Sequence, residues 1–65
     1  MYDNNVIKLM QDMEKVFIPC IKDVEKFVEG NNSAGTRVRK YMQKVKNIAQ
    51  QVRVEVQKQK NSVTV

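Results

Sequence analysis

Both glycines of this 65-residue chain fall in one short stretch, EGNNSAG at residues 29–35. Glycine permits the left-handed backbone that ends a helix, and Asn or Ser favours the start of the next, so the stretch reads as one turn between two long segments. Gly30 suits the close of the first segment, and Asn31, Asn32 or Ser33 suits the cap of the second. A chain with a single turn of this kind has few architectures open to it.

Both segments carry a helical period. Before the turn, Val6, Met10, Met13, Phe17, Cys20, Val24 and Phe27 alternate four and three apart, and Leu9, Val16, Ile7, Ile21 and Val28 widen the stripe. After it, Val38, Tyr41, Val45, Ile48 and Val52 repeat the spacing, flanked by Met42, Ala49 and Val56. The pattern predicts an all-α chain in one domain, residues 1–65: a helix from about Asn5 to Glu29, a turn at 30–32, a helix from about Asn32 to Lys58 and a flexible tail from 59 to 65. Helices of similar length joined by a short turn favour an antiparallel hairpin. Pro19 removes one helical hydrogen bond, but the apolar period keeps its phase across it, so a kinked continuous helix is expected rather than two short ones. One hairpin cannot cover so wide an apolar face, and a chain this short buries too little surface to be comfortable alone. A homo-oligomeric helical bundle, dimer or tetramer, is therefore expected.

Composition excludes several functions. With no histidine and one cysteine, Cys20, the chain has neither an intramolecular disulfide nor a zinc site of ordinary Cys/His spacing. No glycine loop is present to cradle a phosphate, and no nucleophile lies beside a base, so no enzyme, cofactor, metal or small-molecule substrate is expected. Cys20 and the methionines Met10, Met13 and Met42 lie on or beside the apolar stripes and read as packing residues, as does Tyr41 with its hydroxyl at the rim. The acids of the first helix read as solvent-facing. The opening MYDNN lacks the character of a secretory signal and no stretch approaches a membrane span, so a cytoplasmic location is expected.

Charge is the informative feature. The net charge is +5, yet residues 1–30 carry four lysines against six acids, while residues 31–65 carry eight cations against Glu55 alone. Those eight are Arg37, Arg39, Lys40, Lys44, Lys46, Arg53, Lys58 and Lys60. Arg39, Lys46, Arg53 and Lys60 recur every seven residues with Gln43, Gln50 and Gln57 between them, forming one row about 31 Å long at helical rise. Arg37, Lys44, Gln51 and Lys58 form a second row, with Lys40 close by. Cations near a helix start oppose the helix dipole, so a negative partner is called for. A row of cations and amides nearly free of acids suits a nucleic-acid backbone bound through counterion release. The rival reading pairs Asp23, Glu25 or Glu29 with Arg37, Lys40 or Lys44 across the hairpin and makes the chain a bundle whose basic face docks an acidic partner. Membrane attachment is not expected, since the basic helix has no Trp, Phe or Leu.

The segment GNNSAGTRVRKYMQKVKNIAQQVRVEVQ, residues 30–57, resembles the helical segment of the bacterial linker-histone-like nucleoid proteins of the chlamydial type. The matching positions are Gly30, Asn31, Ala34, Gly35, Thr36, Arg37, Arg39 and Lys40, then Gln43, Lys46, Ala49, Gln50, Arg53, Glu55 and Gln57. The resemblance implies a small basic helical protein that binds double-stranded DNA with little sequence preference and organises the nucleoid, with Arg37, Arg39 and Lys40 on the backbone and Lys46 and Arg53 continuing the row. RNA stays open, because backbone charge is common to both acids. The chain closes on NSVTV without the Lys/Ala/Pro-rich tail of larger members, so condensation by a disordered polycation is not expected of it.

Overall fold

The computed structural model describes residues 4–63 as two helices, α1 (Asn5–Val28) and α2 (Asn32–Val63), packed side by side. Each helix start is capped by an asparagine. The Asn4 side-chain oxygen accepts from the Val6 amide at 2.8 Å, and that of Asn31 from the Ala34 amide at 3.1 Å, filling two of the amide vacancies that open any helix. Between the helices the Asn31 amide donates to the Lys26 carbonyl at 3.0 Å and the Gly30 amide to the Phe27 carbonyl at 2.9 Å, with Gly30 at φ +109°. This is a Schellman close, and the positive φ explains why glycine stands there.

Gly35 has a different role. It lies inside the first turns of α2, and a Cβ there would meet the Phe27 ring at 2.7 Å, so its bareness lets the ring lie flat on the helix backbone. α1 runs unbroken through Pro19, as the unshifted apolar period predicts. α2 extends to Val63 instead of giving way to a tail after Lys58. The extra length is held by side chains: Gln59 and Asn4 exchange amide hydrogen bonds at 3.0 and 3.1 Å, and Gln57 donates to Asn61 at 3.1 Å. Of the expected tail, Thr64 and Val65 lie outside the described residues.

The seam between the helices is narrower than the α1 stripe. Val6, Leu9, Met13, Val16 and Cys20 turn inward against Val38, Tyr41, Val45, Ile48 and Val52. The expected core positions Met10, Phe17, Val24 and Phe27 instead remain 50, 40, 41 and 51% exposed, and Met42 43%. The reason is geometric: one facing helix covers a two-per-heptad seam, whereas the α1 stripe has a third and fourth apolar position per heptad. Cys20 and Ala34 are the buried apolar residues, at 3 and 0% exposure, and no large side chain among the described residues is fully enclosed.

Candidate nucleic-acid interface

The cations of α2 divide according to what holds them. Arg37, though near the helix start, is not waiting for an outside anion. Its Nε donates to both Asp23 carboxylate oxygens at 3.1 Å, and its Nη2 stands 3.0 Å from Asp23 Oδ1. Asp23 is buried to 6% exposure on the seam, which corrects the reading of the α1 acids as uniformly solvent-facing. Its position follows from phase: three residues after Cys20, it shares the inward side of α1. The arginine fork is the partner a buried carboxylate needs, and it answers why α2 tolerates a cation in its first turns without a nearby acid of its own.

The Arg37 hydrogen bond holds the Asp23 carboxyl below its ordinary 3.8, against the opposing effect of burial; the charges of Arg37 and Lys26 and the Tyr41 hydroxyl add to the lowering. Arg37 is correspondingly raised by Asp23. The sign of the linkage is fixed by this direction. A carboxylate whose folded pKa is depressed contributes stability that is present above pH 3.8 and is lost as pH falls through the lower folded value. Thermal melts followed by circular dichroism should therefore show Asp23→Asn melting below the parent at pH 7, with the gap narrowing as pH falls below 3.8. A gap that persists unchanged at pH 2 would mean that the pair's charge does not contribute.

Glu55, the lone acid of the second half, is also engaged: it accepts from Asn5 at 3.4 Å and from Gln59 at 3.3 Å at the open end of the hairpin. The remaining sequence-predicted cations, Arg39, Lys40, Lys44, Lys46, Arg53, Lys58 and Lys60, are exposed along α2. Among the described residues, Arg39, Lys40, Lys44, Lys46, Arg53 and Lys58 form no ion pair. The hairpin separates them by side. Arg39 lines a shallow groove with Phe27, Gly35 and Val38, and Lys60 lines one with Val6, Ile7 and Val56. Lys40 and Lys44 line a groove with Arg37 and Tyr41. The two rows read from sequence thus lie on opposite sides of the hairpin.

No cluster of three or more metal-capable side chains occurs among the described residues, Cys20 is a buried free thiol, and no helix is long and apolar enough to cross a membrane. This small helical scaffold with an exposed basic helix matches the family model described as histone H1-like protein Hc1 over residues 7–62, nearly the whole chain. The chain belongs to the histone H1-like Hc1 family. The match covers α1 as well as the segment after the turn, so the family likeness extends beyond residues 30–57 to the first helix. Histone H1-like proteins are DNA-binding structural proteins rather than enzymes, in keeping with a scaffold whose polar surface is cationic along one helix. No curated protein and no solved structure matches the chain.

Proposed function

We propose that this Hc1-family chain binds double-stranded DNA through the phosphate backbone, with little sequence preference, as a nucleoid-organising protein in the cytoplasm. The observation that carries the reading is the set of α2 cations that no acid among the described residues holds: Arg39, Lys40, Lys44, Lys46, Arg53 and Lys58. A solvated helix of the ordinary kind mixes signs to gain i,i+4 pairs; this one presents cations and amides to a polyanion. Arg37 contributes chiefly by fixing α2 against α1 through Asp23.

Self-association belongs to the same reading. The chain exposes 5510 Å², against about 4,300 Å² for a compact monomer of this mass. The surplus includes a continuous apolar strip on α1, formed by Met10, Phe17, Ile21, Val24 and Val28. A second copy closing that strip supplies the core that one hairpin lacks, and a symmetric pair presents its cations twice, which allows two duplexes to be bridged. The test is fluorescence anisotropy with a random-sequence DNA duplex and an RNA duplex of equal length. Binding to the DNA is expected; absence of binding at low salt would leave the basic helix as a protein-docking or merely solvated face.

A further inference from the structure

We infer that the DNA-contacting surface is not a face of α2 alone but a composite face of both helices, in which Lys15, Lys22 and Lys26 of α1 stand beside Lys40, Lys44 and Lys58 of α2. The inference rests on the proposed DNA binding and says where on the hairpin it takes place. At 100° per residue, Lys15, Lys22 and Lys26 fall within a sector of α1 about 40° wide, and the apolar strip of Met10, Phe17, Ile21, Val24 and Val28 lies about 150° away from it. The segment that is net acidic by count has therefore sorted its lysines onto one side and its uncovered apolar residues onto the other.

The grooves identify which side of α2 each strip accompanies. Ile7, next along the apolar strip, shares a groove with Val56 and Lys60, and Phe27 shares one with Arg39. On the opposite side Lys8, seven residues before Lys15, shares a groove with Gln51, and Lys40 with Lys44 and Arg37. Lys15, Lys22 and Lys26 are exposed and, among the described residues, unpaired, as are Lys40, Lys44 and Lys58. Glu29, at the α1 C-cap, and Asp12 are the acids nearest this face by the same count, and Asp23 is held by Arg37. Two cation strips result on adjacent antiparallel helices whose axes lie about 8–10 Å apart in such packings. That separation is comparable with the width of the DNA major groove between its bordering phosphate strands, about 12 Å. The row Arg39, Lys46 and Arg53 borders the apolar strip instead, the side that the proposed second copy closes.

The test compares two charge-matched double variants of the full chain by anisotropy with a random-sequence duplex across a salt series, helicity being checked by circular dichroism. Lys15→Gln with Lys22→Gln is expected to weaken binding about tenfold and to make the log–log salt slope shallower by about two. Lys46→Gln with Arg53→Gln, two of the α2 cations counted in the proposed binding, is expected to weaken binding less than the α1 pair does, with a slope change of under about one. An unchanged slope in the α1 variant, or the larger loss in the α2 variant, would overturn the composite face while leaving DNA binding standing. A parent chain that fails to bind would remove both readings.

Discussion

A chain carrying Phe17→Glu and Ile21→Glu is expected to sediment as a monomer at concentrations where the parent is associated. The two side chains are 40 and 57% exposed in the single hairpin and lie on the uncovered α1 strip. Full burial of a Phe or Ile side chain stabilises by about 1.5–3 kcal/mol, and a symmetric interface counts each position twice. Charges placed there lose that gain and add a desolvation penalty, so association should weaken by at least about a thousandfold. Both positions lie on the outer side of the α1–α2 seam, and retained helix content shows that the hairpin itself persists. Sedimentation equilibrium checks the mass and circular dichroism the helix content. A parent that is itself monomeric at every concentration would show that the strip serves something other than a second copy.

Ala34→Leu is expected to give the largest loss of fold stability of any single apolar substitution in the chain. Ala34 has 0% exposure and lies one residue before Gly35, where a Cβ would already collide with the Phe27 ring. Its amide is the one that caps onto Asn31, so the backbone cannot move aside without giving up the start of α2. Extra methylenes in a closed site cost about 1–3 kcal/mol, a large share of the roughly 3–10 kcal/mol available to a chain of this length. The melting temperature should fall by about 10 °C. Ala34→Gly, which leaves the space open and loses only about 1 kcal/mol of helix propensity, should fall by about half as much. Equal melting of parent and leucine variant would mean that the hairpin apex is not packed as described.

Much of this architecture is legible in the sequence, for reasons that name their residues. EGNNSAG marks the turn because Gly30 needs a positive φ and Asn31 must cap α2. The unbroken phase across Pro19 shows that α1 continues. What periodicity does not show is how much of an apolar stripe one partner helix covers, and so Met10, Phe17, Val24 and Phe27 read as core while standing open in the single hairpin. The Asp23–Arg37 pair stands among the cross-hairpin pairs legible in the sequence, but that Asp23 is buried on the seam shows in the packing. Its spacing from Cys20 was the available signal. The helix past Lys58 was hidden because its anchor, Gln59 to Asn4, joins the two ends of the chain. The cation rows are legible as rows on one helix, but their separation by the hairpin, and the lysines of α1 that accompany one of them, depend on how two helices lie side by side. A sum of charges by half conceals that sorting, because acids and lysines of α1 occupy different sectors.

The central claim is that this chain meets DNA through a cationic backbone-tracking surface, and the salt dependence of binding tests it most directly. The unmodified chain is titrated against a random-sequence duplex by anisotropy at a series of salt concentrations. The account predicts affinity falling linearly in log–log form, with a slope of about −5 from the six lysines of the composite face, and the same line for a second duplex of unrelated sequence. Affinity that is indifferent to salt, or absent at the lowest salt, would contradict it.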